Sequence, residues 1–184
     1  LRDLLLASRG SGAEVRVSIL PPGTKMELEE ELTIDGFNLT LRARHATFSA
    51  QERSRAFRVA PSQWESYDPV WRGGASRLEL RDATIKVGYV AGSGRAIAAG
   101  ALQGNSQHAS AHLVLDGVRF IDCATSSEFG YFQGGGEHDL PEPQPGGACY
   151  VGGASVASLR RCAFEKCTFD KFGELGYGQV TVST

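Results

Sequence analysis

The chain is written in short runs of alternating apolar and polar residues, separated by bends, and the runs recur in related form. Residues 15–20 (VRVSIL) alternate as a half-buried strand does and stop at Pro21-Pro22-Gly23, where the prolines cannot donate to a ladder. Met26 and Leu28, then Leu32 and Ile34, give two further short runs, with Glu29, Glu30 and Glu31 read as a solvated corner between them. Asp35-Gly36 is a turn signal, after which residues 38–50 (NLTLRARHATFSA) resume strand character with Leu39, Leu41, Ala46 and Phe48 as core positions. Ahead of these runs, Leu1, Leu4 and Leu5 fall at i, i+3, i+4 and predict a short amphipathic helix over residues 1–7. That helix reads as a lid over the open end of a sheet, so residues 1–14 are expected to form an N-terminal cap.

Past residue 50 the pattern repeats. Leu80-Arg81-Asp82-Ala83-Thr84-Ile85, Leu115-Asp116-Gly117-Val118-Arg119-Phe120 and Leu159-Arg160-Arg161-Cys162-Ala163-Phe164 share one form: Leu, two variable residues, a small or apolar one, a variable one, then Phe or Ile. The stretch from Leu41 to Phe48 is a looser copy, two residues longer. A shorter apolar run precedes each later copy, at 56–59, 96–99 and 148–151, and the last two copies carry Cys123 and Cys167 three residues after the Phe. The leucines at 41, 80, 115 and 159 give a period varying between 35 and 44 residues, with insertions taking up the slack. The larger ones cover residues 64–74 and 125–145. Short strands, glycine bends and an irregular period of this length predict an all-β solenoid of stacked parallel strands. Like residues then stack as ladders about 4.8 Å apart, Leu80 on Leu115 on Leu159 and Ile85 on Phe120 on Phe164. Residues 179–183 (QVTVS) read as the first strand of one more turn, so the array is expected to run on beyond Thr184.

Composition narrows the partners. A chain of 184 residues suits one domain, 1–184, and a net charge of −2 offers no bulk attraction to nucleic acid. No apolar run reaches the roughly 20 residues that would span a bilayer. Twenty-three glycines fit many bends. Four cysteines, Cys123, Cys149, Cys162 and Cys167, are too few for a disulfide scaffold and form no CxxC pair; they read as buried thiols. Cys123 and Cys167 share a slot in successive turns, and in-register side chains point the same way, so a ladder of free thiols is expected there rather than a disulfide.

The units GGACYV at 146–151 and LRRCAFEKCTF at 159–169 resemble those of the right-handed parallel β-helix, or pectin-lyase-like, superfamily. The likeness is to its divergent repeat proteins, such as polymorphic outer-membrane proteins of bacteria and large algal surface proteins. It covers most of residues 15–184 and implies a right-handed parallel β-helix with a short capping helix and loop insertions. Such a coil hosts lyases, hydrolases, adhesins and inert stalks alike, so the activity has to be sought in the side chains.

Enzymes of that superfamily carry paired aspartates or a calcium-binding acidic cluster with a basic residue. No Asp-Asp pair occurs here, and the triplet at Glu29 lacks the converging oxygens of a calcium site, so no cofactor is expected and calcium stays an unsupported alternative. Asp82, Asp116 and Arg119, on outward positions of the repeat, are the catalytic candidates, and solvated strand surface is their plainer reading. His45, His108, His112 and His138 are dispersed, and no metal site is expected. Binding candidates are the aromatics of the insertions: Trp64, Tyr67 and Trp71 in one, Phe129, Tyr131 and Phe132 in the other, which suit stacking on sugar rings or anchoring a partner. Asn38-Leu39-Thr40 is an N-glycosylation sequon, in keeping with a secretory route. The expectation is an extracellular or cell-surface scaffold or binding module, with a polysaccharide or another surface protein as partner. A polysaccharide lyase or glycoside hydrolase is the alternative.

Overall fold

Period-two alternation places Leu39, Leu41, Leu78, Leu80, Leu113 and Leu115 on one face of extended backbone, and each is essentially removed from solvent. The computed structural model describes residues 1–50, 54–59, 76–90, 96–100, 111–125, 148–151, 155–167 and 179–183. These are mostly β. After helix α1 (Arg2–Ala7) come β1 (Glu14–Ser18), β2 (Lys25–Glu27), β3 (Leu32–Ile34), β4 (Asn38–Ser49), β5 (Phe57–Val59), β6 (Ser76–Val90) and β7 (Ile97–Ala99). The later strands are β8 (Ala111–Asp116), β9 (Arg119–Thr125), β10 (Cys149–Val151), β11 (Val156–Arg160), β12 (Ala163–Glu165) and β13 (Gln179–Ser183).

The strands form two sheets, and every pairing in them is parallel. The larger runs β1-β4-β6-β8-β11-β13, with β2 on β4, and β9 between β6 and β12; the smaller runs β10-β7-β5-β3. From β3 to β11 the chain passes back and forth between the two sheets, with β8 and β9 both in the larger one, which is how parallel neighbours are joined without hairpins. Register follows the repeat. Val17, Leu41, Leu80, Leu115 and Leu159 are successive Cα partners, as are Met26, Phe48, Ile85, Phe120 and Phe164. In the smaller sheet Leu32, Phe57, Ile97 and Cys149 align likewise. The Phe120 and Phe164 rings stack with centroids 5.1 Å apart and planes 3° apart, the spacing that adjacent strands impose. Phe48 of one sheet meets Phe57 of the other edge-on at 5.2 Å, so the core joins the two sheets.

Corners are made by single residues in the left-handed region. Asp82 (φ 52°), Gly117 (φ 67°) and Arg161 (φ 51°) occupy the third position of the Leu repeat, and each turns the next residue, Ala83, Val118 or Cys162, toward the interior. The looser first copy spends its two extra residues here: Arg44 (φ 51°) and His45 (φ 66°) both turn, and the β4–β6 register shifts between Arg42 and Ala46. A second corner recurs at Asp122 and Lys166, both at φ 53°.

At the N-terminal end α1 packs beside β3, and the loop after it is pinned by backbone bonds: Gly10 donates to the Asp35 carbonyl and Gly12 to that of Gly36, both at 2.8 Å. Arg9 pairs with Asp35 at 2.5 Å. The helix buries less than its leucine pattern predicts. Leu5 is buried, but Leu4 is 45% exposed, because one and a half turns of helix present only one side chain squarely to the sheet. Two other expectations need correcting. Phe164 stands 51% exposed, since one of its faces covers Phe120 and no described strand lies on the other side of β12. The acidic corner is only partly solvated: Glu29 and Glu30 are exposed, but Glu31 is half-buried and accepts from Arg55 Nε at 2.8 Å and Arg58 Nη1 at 3.4 Å.

Candidate functional site

The outward residues of the larger sheet alternate with the leucines and are brought into columns by the same register. One column reads Ser18, Arg42, Arg81, Asp116, Arg160; its neighbour reads Arg16, Thr40, Glu79, Val114, Ser158. Between the first three strands of these columns lies an open polar groove of ≈ 500 Å³, lined by Arg16, Ser18, Thr40, Arg42, Glu79 and Arg81 along with Val17. Glu79 is its electrostatic hub. Arg81 Nε donates to Glu79 Oε1 at 2.7 Å, and Arg77 Nη2 to Oε2 at 3.2 Å. Burial pushes the Glu79 carboxyl up, but the two guanidinium hydrogen bonds outweigh it and hold the group below the usual carboxylate range. Arg16 leans on Glu14 at 3.2 Å. Arg42 makes no ion pair among the described residues.

The catalytic candidates Asp116 and Arg119 lie further along the same sheet and are engaged with neighbours. Asp116 accepts from Arg161 Nε at 2.8 Å, and that hydrogen bond keeps its carboxyl below the ordinary range. Arg119 Nη2 donates to Glu165 at 2.5 Å. Asp82 turns the preceding corner, its Oδ1 2.8 Å from the point a Cβ on Gly117 would occupy, which accounts for glycine at that left-handed position. Asp116 and Arg160 are register partners, and Asp82 lies one residue beyond that column. No group of three or more His, Cys, Asp or Glu gathers as a metal site would among the described residues. Trp64, Tyr67, Trp71, Phe129, Tyr131 and Phe132, with His108 and His138, lie outside the described residues. His112 sits on the outward face with its Nδ1 3.3 Å from Arg77 Nη1; partial burial and then the Arg77 charge keep it below the ordinary imidazole value.

The thiols follow a rule the sequence hid. Cys123, Cys162 and Cys167 each come directly after a left-handed residue, at Asp122, Arg161 and Lys166. Each points its sulfur at the carbonyl two residues back and at a carbonyl of the strand before: Cys123 at Ile85 (3.8 Å), Cys162 at Leu115 (3.7 Å), Cys167 at Phe120 (3.6 Å). A thiol is thus a weak donor at the inside of a corner, where the turned backbone interrupts the ladder. All four cysteines are free. Burial, followed by the nearby Cys167 sulfur, pushes the Cys123 thiol up to about 12, and burial raises Cys149 and Cys162 as well. These are protonated, poorly nucleophilic groups.

Two features escaped sequence reasoning. One is the groove itself, whose only trace is an Arg after the Leu in two successive copies, Leu41-Arg42 and Leu80-Arg81. The other is a pair of buried serines, Ser76 and Ser155, whose hydroxyls accept from the Gly36 and Ala111 amides at 2.8 and 3.0 Å and bind one strand start to the next. Among the described residues no helix is long and apolar enough to cross a membrane. No protein-family model matches the chain, and no curated protein or solved structure matches it significantly.

Proposed function

We propose that the chain forms a right-handed parallel β-helix, of the pectin-lyase-like kind its repeat units resemble, serving as a scaffold and glycan-binding surface outside the cell or on its surface. The observation that carries this reading is the outward face of the larger sheet. Its side chains are held in register by a leucine core and form an open polar groove, while Asp116 and Arg119 are tied up in ion pairs with Arg161 and Glu165. A face of polar side chains aligned strand by strand suits recognition of a repeating polymer. The absence of a paired-carboxylate motif in the sequence favours binding over turnover. The sequon at Asn38, half-buried on that same face, is consistent with a secretory route.

A glycan array combined with a reducing-end assay on pectins and alginates tests the proposal. Binding is expected without new reducing ends. Turnover that disappears in Asp82→Ala, Asp116→Ala or Arg119→Ala would replace the module by a lyase or hydrolase.

A further inference from the structure

Arg42 is the arginine of the groove that no carboxylate among the described residues engages. It sits in the middle of the groove, between Ser18 and Arg81 in its column and beside Thr40 and Glu79 in the next, yet its charge is answered by no carboxylate among the described residues. The other two guanidiniums of the groove are engaged, Arg16 by Glu14 and Arg81 by Glu79. The lining therefore holds three arginines against one glutamate, in a chain whose formal net charge is −2. The positive field is local, built by register rather than by composition.

We propose that this groove seats a sulfate ester of an anionic glycan, with Arg42 as the principal contact, Arg81, Ser18 and Thr40 as further donors, and the Glu79 carboxylate occupied by Arg81 and Arg77. The proposal rests on the binding-module reading and names its ligand class. Arg42 and Arg81 are partners on adjacent strands, about 4.8 Å apart along the stack. A planar carboxylate is satisfied by a single bidentate guanidinium. A sulfate ester has three free oxygens in a tetrahedral array, enough to accept from guanidiniums on two successive strands and from a hydroxyl beside them. Glu79 fixes Arg81 in place, which leaves less side-chain entropy to lose on binding. Asp116, the next residue in the column, repels an anion and confines the seat to the Arg42–Arg81 end. Nucleic acid is a poorer match, since no aromatic residue lines the groove for base stacking.

Binding of the full chain to dextran sulfate, unsulfated dextran, polygalacturonate, inorganic sulfate and single-stranded DNA tests this, with Arg42→Ala and Arg42→Gln compared against Arg2→Ala. The last variant removes the same charge at an exposed site far from the groove in sequence, on α1. Expected are a salt-sensitive affinity for dextran sulfate, weakened about tenfold in both Arg42 variants and unchanged in Arg2→Ala, as loss of one charge-assisted contact implies. Equal losses in the Arg42 and Arg2 variants would reduce the effect to bulk charge and overturn the site. Tighter binding to DNA or polygalacturonate, or displacement of dextran sulfate by inorganic sulfate at equal sulfate concentration, would overturn the ligand class. Wild-type protein that binds neutral glycans but not dextran sulfate sinks the sulfate seat alone; no binding to any glycan sinks the module reading as well.

Discussion

Gly36 and Gly12 have nearly the same left-handed backbone, φ 67° and 66°, but different surroundings. A Cβ on Gly36 would stand 2.9 Å from the Gly10 Cα, whereas one on Gly12 would meet nothing within 4 Å. Gly12→Ala should therefore cost only the backbone strain, about 1 kcal/mol, and Gly36→Ala about 2–4 kcal/mol because the cap loop must also move. Urea midpoints of the two variants check this, and equal losses would remove the steric part of the argument. The thiols give a second prediction at this scale. The Cys123 thiol is raised to about 12, so the folded chain keeps its proton after the unfolded chain has lost one at the ordinary thiol value. Its contribution is present in full below that ordinary value and drains away as pH climbs toward about 12. Stability followed from neutral to alkaline pH should fall more steeply in the wild type than in Cys123→Ala. Parallel profiles would mean that Cys123 ionises alike in both states.

A residue's cost depends on where its strand sits in the stack. Phe120 is completely buried between Ile85 and Phe164, so Phe120→Ala removes a ring packed on both faces and should cost about 3–5 kcal/mol. Phe164 has the same place in the repeat but is half in solvent; Phe164→Ala should cost about 1 kcal/mol, mostly lost stacking. Thermal or urea unfolding of the pair measures the difference, and a Phe164 loss as large as that of Phe120 would show that β12 is an interior strand. Element type was legible in the sequence because alternation at period two survives in every copy. Strand bounds were less so: residues 156–165 look continuous, but the left-handed Arg161 divides them into β11 and β12. A left-handed corner is invisible in the sequence when Asp, Gly and Arg can each occupy it.

For the whole molecule, register converts a one-dimensional repeat into columns, and the columns decide what kind of partner the outer face can meet. Net charge alone offered no bulk attraction to nucleic acid, yet Arg16, Arg42 and Arg81, far apart in sequence, converge in one groove. The sequence by itself determined the β character, the order of short and long strands, the leucine and phenylalanine positions that align, and the free state expected of the cysteines. Those properties follow from hydrophobic period and residue type, which act locally or between equivalent positions of a repeat. Only the tertiary structure decided that Phe164 is half exposed, that Glu31 is drawn into Arg55 and Arg58, that Asp116 and Arg119 are paired off, and that Arg42 has no carboxylate partner among the described residues. Each of these depends on which side chains of different passes lie within a few ångströms of one another, and Coulomb and packing energies are set by that distance rather than by position along the chain.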